Sequence, residues 1–465
     1  MKKYTLIVLL IVVSANMFAQ TVLNQFPIEL KKSSDYFQIL NGENEQKEYF
    51  TIITDKQKCT VLKYNSALFF KDSLSISRPD KTYDFMAGMT FSNNGNPQVY
   101  WASKDYQDIK LIDFDLKNHT TTYLDYENDF KREKIIDAFV AENVFQILSV
   151  TAENHLRFTH FSNSGKNQQV IDLESKDVEN SKSIDDKLVA SIFDFGLTKI
   201  DPELFTPLYV ATAKVKRYLK GTTYVLSFDI KNQTSLIVIN LNDYSFSKEV
   251  FPYEKIENNS GSNSFLHQDV LYQLTANSKD LSLTAIDLKT KKTLETYRAN
   301  AKEEITFKNS PLLIQSENGT ARELKKTSKL LSKLNAESLG LSIYSTPNYN
   351  LFTIGGVREV ASGGHVALGL GVVIVGAIGG GIVDPSFLGD SNNIQSIYFE
   401  SFFDSNFKHT TVPFRPLYID GLGAFTASNH PAVYNIYKYN GYVILNYYDS
   451  KNKEFVMRKF ENTVD

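Results

Sequence analysis

The sequence predicts an all-β fold assembled from repeated antiparallel hairpins, and three observations carry that reading. Aromatic residues make up 13% of the 465 positions, with 26 Tyr and 32 Phe, and large flat side chains suit a half-buried pleated surface. Runs in which apolar and polar residues alternate recur along the whole chain, separated by turns carrying Asp, Asn, Lys or Ser. The hairpins recur at intervals: they centre near residues 62, 114, 161, 240, 286, 402 and 446, with successive gaps of 52, 47, 79, 46, 116 and 44.

The chain opens with a segment expected to direct export. Lys2 and Lys3 precede an eight-residue apolar core, Leu6 to Val13, and small and polar residues follow as far as Ala19-Gln20. Eight residues at ~1.5 Å each cannot cross a ~30 Å hydrocarbon layer but match the apolar region of a signal peptide. Cleavage after Ala19 is expected to release the protein to the periplasm, the outer surface or the medium. Cys59, the single cysteine, sits in the strand-like run Lys58-Cys59-Thr60-Val61-Leu62 and is expected to be a small buried hydrophobe. A lone cysteine excludes a disulfide scaffold and a Cys-rich metal site.

The hairpins themselves are explicit in the residues. Ile109 to Leu116 alternates before the turn Lys117-Asn118-His119 and the run Thr120 to Tyr123. Leu236 to Leu241, Leu281 to Leu288 and Tyr442 to Tyr448 repeat the pattern, each followed by a short polar turn and a second strand. Four of the six gaps lie close to the ~40–50 residue period of a four-stranded propeller blade. The chain therefore resembles a β-propeller of about seven blades, six to eight, over residues 22–463, with a sandwich pair or a β-helix as the competing architectures. The likeness is architectural, since no Trp-Asp, di-glycine or Asp-box motif repeats and Trp101 is the only tryptophan.

Three stretches interrupt the period. The gap of 79 implies a blade with a long excursion near 193–215, and the gap of 116 leaves room for a further weakly patterned blade around 304–345 plus an insertion. Within 321–337, Leu324, Leu331 and Leu334 share one helical face with lysines on the rest, which reads as a surface helix or as an edge hairpin led in by Asn318-Gly319, with a membrane contact as the sharper alternative. Residues 361–389 hold nine of the 23 glycines, and Val366 to Val383 are 18 consecutive uncharged residues. Six glycines there cost a helix roughly 5 kcal/mol relative to alanine, and the strand patterns resume afterwards, so an inserted loop is favoured over a membrane-spanning helix across 361–383. Its flanks, Tyr349 to Ile354 and Ile397 to Phe402, read as strands of one blade. The candidate interaction surface, toward a membrane or a protein partner, is formed by Val366, Leu368, Leu370, Val372, Val373, Ile374, Val375, Ile378 and Ile382.

The search for catalytic chemistry returns little. Fifty basic residues stand against 53 acidic ones, for a net charge of −3, so no nucleic-acid partner is expected. Gly369-Leu370-Gly371 lacks the third glycine of a dinucleotide fingerprint, and Ser362 in Ala361-Ser362-Gly363-Gly364 is not a nucleophile elbow. His155 and His160 stand five residues apart, an odd offset that points them to opposite sheet faces and makes a shared metal poor. Asp404-Ser405-Asn406 and Asp390-Ser391-Asn392-Asn393 read as plain turns, and Tyr398-Phe399, Phe402-Phe403 and Tyr447-Tyr448 as core. No catalytic, metal-ligating or cofactor-binding residue is assigned. The expected function is an exported, non-catalytic binding or scaffolding protein, the alternative being an exported hydrolase or lyase with its residues spread over several blades.

Overall fold

Seven antiparallel sheets form the body of the chain in a computed structural model that describes residues 20–31, 36–173, 181–256, 261–316, 321–359 and 394–462. Blade 1 runs from its inner strand outward as Gln38–Glu43, Tyr49–Thr54, Lys58–Tyr64 and Phe70–Ser77. Blade 2 is Phe85–Phe91, Pro97–Ala102, Asp108–Asp115 and Thr120–Glu127, and blade 3 is Lys134–Ala141, Val144–Val150, Leu156–Ser162 and Gly165–Ile171. Blade 4 contains Val215–Lys220, Thr223–Ile230, Gln233–Asn240 and Phe246–Pro252, and blade 5 contains Gly261–His267, Val270–Ala276, Asp280–Asp287 and Thr293–Asn300. Burial follows position. The second strand of blade 1 is buried along its whole length, because both of its faces meet neighbouring blades, whereas the outer strands of blades 1, 2 and 3 are largely exposed.

Local chemistry sets the turns. Glu142 and Asn143, at φ 45° and 62°, form the two-residue connection of a left-handed hairpin in blade 3, and Asn440 and Gly441, at 45° and 84°, do the same in blade 7. Within strands the alternation is approximate: Ile109, Leu111 and Phe114 are buried while Lys110 and Asp113 are half-exposed, but Ile112 beside Leu111 is buried as well, against the other face of the sheet.

Blade 7 closes the ring. Its inner strands are Tyr434–Tyr439, Tyr442–Asp449 and Glu454–Phe460, and its outer strand is Thr21–Pro27 from the other end of the chain, paired antiparallel with Glu454–Phe460 from Thr21↔Lys459 to Pro27↔Glu454. Adjacent blades are joined side chain to side chain. Asn41 of blade 1 donates to Asn435 of blade 7 at 2.7 Å, Met86 N of blade 2 donates to Gln38 of blade 1 at 2.9 Å, and Asn143 of blade 3 holds Phe91 of blade 2. Arg217 of blade 4 meets Asp137 of blade 3 at 3.0 Å, and Ser264 of blade 5 donates through N and Oγ to Asp229 of blade 4 at 3.0 and 2.6 Å. The chain is a seven-bladed β-propeller.

Blade 6 departs from the plain order. Ser338–Ser345, Asn350–Glu359 and Ile394–Phe403 are its inner three strands, but its outer strand, Leu313–Ser316, precedes them in sequence and pairs with Ile394–Phe403. The expected separate blade around 304–345 is therefore absent: that stretch supplies the outer strand and the inner strand of the blade that also carries 350–403. The flanks of the Gly-rich segment do pair as one hairpin, from Asn350↔Phe403 to Glu359↔Ile394. Both readings of 321–337 are realised in part. Arg322–Glu323 forms an edge hairpin with Leu313–Ser316, and a helix follows at Thr327–Leu334. Leu324, Leu330, Leu331 and Leu334 are all buried in the protein core, so the apolar face of this helix is not available to a membrane.

The long excursion lies between blades 3 and 4. It contains helix α1, Ser181–Phe195, a short strand, Thr198–Ile200, and a helical turn, α2, Leu208–Ala211. Thr198–Ile200 pairs in parallel with the inner strand of blade 4 on its channel side, Thr198↔Lys216 to Ile200↔Tyr218. From there the segment crosses the middle of the ring. Lys199 bonds Asp137 at 2.7 Å, Glu203 bonds Lys438 of blade 7 at 2.6 Å, Thr206 O accepts Ser342 Oγ of blade 6, and Thr212 O accepts Asn263 of blade 5 at 3.0 Å. The chain plugs its own channel.

Candidate functional site

All inner strands run in one direction, so the hairpins joining inner to second strands lie on one face of the disc. Two pockets open on that face. The larger, about 680 Å³, lies between blades 2 and 3 and is bounded by residues 90–98 and 113–122 of blade 2 and by 143–144 and 161–164 of blade 3. Its lining includes five asparagines, one glutamine, six hydroxyl residues and two aspartates, with Phe91, Tyr100 and Phe161 as aromatic wall. Tyr100 stacks on Phe145 at 4.6 Å and donates to Phe161 O at 3.2 Å, which fixes the deep side of that wall.

Gln98 organises the polar side. It is buried, and its Nε2 donates to Asp113 Oδ2 at 2.5 Å and to Asn163 Oδ1 at 3.1 Å, so one amide sets a carboxylate of blade 2 beside an amide of blade 3. Burial raises the Asp113 carboxyl above its usual range, against the Gln98 bond, which lowers it. Asn143 is occupied structurally, since its amide accepts from Phe91 N and donates to Phe91 O, both at 2.7 Å. Asp115 is likewise occupied by Asn118.

The second pocket, about 420 Å³, sits nearer the axis, where the inner strands of blades 4, 5 and 6 end at Lys220, His267 and Ser345. His267 Nε2 lies 2.7 Å from Ser345 Oγ, and Ser345 Oγ donates to Asn350 Oδ1 at 2.6 Å. Burial, with a smaller contribution from Lys220, pushes the His267 imidazole down to about 4, so it is neutral at pH 7. Ser345 Oγ thus bridges the imidazole of blade 5 and the Asn350 amide of blade 6.

Residues singled out from the sequence fall as follows. Val366, Leu368, Leu370, Val372, Val373, Ile374, Val375, Ile378 and Ile382 lie outside the described residues, as do Ser362 and Asp390 to Asn393. The described flanks of that segment, Glu359 and Ile394, pair where the second strand of blade 6 ends and the third begins, on the face opposite both pockets. Cys59 is fully buried, and burial raises its thiol to about 12. His155 and His160 part company, the first beside Asp172 at 3.7 Å and the second bonded to Tyr244 at 2.7 Å. Asp404 accepts Asn406 N and Lys408 N as a plain turn, and Phe399, Phe402, Phe403, Tyr447 and Tyr448 are core. Among the described residues, no three of His, Cys, Asp and Glu converge as a metal site, and no helix is long and apolar enough to cross a membrane.

Gln98, Asp113 and Asn163 were not legible as a site. Ser92-Asn93-Asn94-Gly95-Asn96 and Ser162-Asn163-Ser164-Gly165 read as turn formers, and only the ring places these two hairpins side by side.

No protein-family model and no curated protein matches the chain. Solved structures similar to it include the WD40 domain of SCAP from fission yeast, at 10% identity and a TM-score of 0.31 over 96% of this chain and 88% of that one. The Dos1 propeller is similar at 8% identity and a TM-score of 0.31 over 97% and 98%, and an uncharacterized protein from Listeria monocytogenes EGD-e at 10% and 0.30 over 92% and 96%. Superpositions this loose leave the fold to rest on its strand order.

Proposed function

We propose that the protein is an exported, non-catalytic binding propeller that works by its two faces. The face of the inner-to-second hairpins takes a small polar ligand in the cleft between blades 2 and 3, and the opposite face attaches to a membrane or a protein partner through 361–389. The observation that carries the reading is the cleft itself: a buried amide, Gln98, pins a carboxylate and an amide from two blades at its floor, 2.5 and 3.1 Å away. Polar groups held in place before a ligand arrives lose little entropy when it binds.

The apolar composition of 361–389 supports attachment through that segment. The charged start, the apolar core and the Ala19-Gln20 junction support export. Deleting 361–389 and bridging the flanks with a short Gly/Ser turn is expected to leave a folded β protein that no longer sediments with membranes or partner. N-terminal sequencing of protein from the native cell is expected to begin at Gln20. An intact Met1, or a deletion variant that still sediments, contradicts the proposal.

The pair His267 and Ser345 favours hydrolysis as the second reading, since it joins blades 5 and 6 inside a pocket. A serine-directed fluorophosphonate separates the two readings. The binding reading expects no label on Ser345, whereas a label that disappears in His267→Ala establishes the hydrolase.

A further inference from the structure

The lining of the blade 2–3 cleft restricts what it can hold. None of its side chains is cationic, so a phosphate, sulfate or carboxylate ligand would find no counter-charge there. A calcium ion needs six to eight oxygens, several of them carboxylate. Of the two aspartates, Asp115 has both oxygens engaged with Asn118, and one oxygen of Asp113 accepts from Gln98, so the cleft is short of the several carboxylate oxygens that calcium needs. Anions and hard divalent cations are both poor fits.

Neutral hydroxyl groups fit well. Gln98 Nε2 donates to Asp113 Oδ2 and Asn163 Oδ1, so a carboxylate, which accepts, and an amide, which also donates, are gathered about one side chain among the residues lining the cleft. A hydroxyl is both donor and acceptor, and two hydroxyls on adjacent carbons match an acceptor and a donor standing side by side. Asp113 belongs to the third strand of blade 2 and Gln98 to its second, so both are held on sheet rather than on loop. The half-buried ring of Phe91 lines the same space and offers an apolar face to the C–H side of a sugar ring. About 680 Å³ accommodates a mono- or disaccharide.

We propose that the cleft between blades 2 and 3 binds a neutral saccharide, two of whose adjacent hydroxyls bridge Asp113 and Asn163. The proposal rests on the binding reading given above and names its ligand class. The charge-assisted bond to Asp113 supplies the strongest contact, and the amide of Asn163 fixes which hydroxyl pair is accepted.

The test is a calorimetric titration of the full mature chain with neutral hexoses, pentoses, N-acetylhexosamines and their disaccharides, up to about 10 mM. At least one is expected to bind. Asp113→Asn and Asn163→Ala are each expected to weaken that sugar by about tenfold or more, with thermal unfolding reporting that both variants remain folded. Glu303→Gln, on an exposed turn of blade 5, is expected to leave binding unchanged. Titration with calcium chloride and with tetramethylammonium chloride runs alongside. If either cation binds in an Asp113-dependent way and no sugar does, the saccharide class is overturned and the binding cleft stands. If a sugar binds with equal affinity to Asp113→Asn and Asn163→Ala, or if none of the probes binds, the cleft is not the site and both readings fall.

Discussion

Two titratable groups in this propeller, buried His267 and half-buried Glu400, act on stability with opposite signs. His267 is held neutral down to about pH 4, while its unfolded counterpart protonates near 6.5. Between those values the unfolded chain binds more protons, so stability falls as pH drops from about 6.5 to about 4, by at most ~1.4 kcal/mol per unit. Glu400, in the third strand of blade 6, is raised to about 7 by burial and then by the charge of Asp420, against 4.5 unfolded. Here the folded chain binds more protons, so the contribution is fully present below about 4.5 and is lost as pH rises through about 7. Urea midpoints measured across pH are expected to fall less steeply on the acid side in His267→Asn. In Glu400→Gln the loss between about pH 4.5 and pH 7 is expected to disappear. Cys59 gives a third expectation at this scale. A fully buried thiol raised to about 12 offers a thiolate fraction of about one in 10⁴ at pH 8, so iodoacetamide should leave it intact in native protein and modify it on unfolding.

The strands and helices show where substitution is costly. A Cβ on Gly355 would stand 2.1 Å from Ile397 O and 2.7 Å from Tyr398 Cβ, and a paired strand cannot yield. Gly355→Ala is expected to cost about 3 kcal/mol in chemical denaturation. Helix α4, at Tyr418–Asn429 after α3 at Thr327–Leu334, offers the contrast: Gly423 has open space around its Cβ position, so Gly423→Ala should add up to about 1 kcal/mol through helix propensity. Between blades 3 and 4, Asp137 is buried against Arg217 at 3.0 Å, Lys199 at 2.7 Å and the Tyr224 hydroxyl at 2.9 Å. Burial alone would raise its carboxyl, but the two cations hold it below the usual range. Asp137→Ala leaves two cations without their anion and is expected to cost ~3–5 kcal/mol.

At these two scales much was legible in the sequence. Each of the seven hairpin centres fell in a different blade, because alternation and turn chemistry are local properties that survive burial. Strand order is not local. Leu313–Ser316 is four residues long and reaches the edge of blade 6 before the inner strands exist, so a period of hairpins counted 304–345 as spare chain. Thr198–Ile200 is three residues long and takes its place from the ring around it, which is why an excursion could be located but not recognised as a plug. Asp113 and Asn163 were invisible as a pair, since 50 residues separate them and both sit in sequences that suit a turn or a solvated strand edge.

For the molecule as a whole, the ring puts the two pockets and the described flanks of 361–389 at opposite ends. The pockets lie where inner strands turn into second strands, whereas Glu359 ends the second strand and Ile394 begins the third strand of blade 6 on the other face. The outer strand Thr21–Pro27 locks this arrangement by closing blade 7, so removing it should expose Glu454–Phe460 as an edge and broaden the unfolding transition. Amide hydrogen exchange on the full chain, compared with and without its native membrane or partner fraction, tests the two-faced arrangement most directly. A two-faced propeller predicts added protection at the ends of Asn350–Glu359 and Ile394–Phe403 that flank the insertion, with the hairpins at 92–96, 142–143 and 163–164 exchanging as before. Protection that falls on those three hairpins, with the blade 6 flanks unchanged, contradicts it.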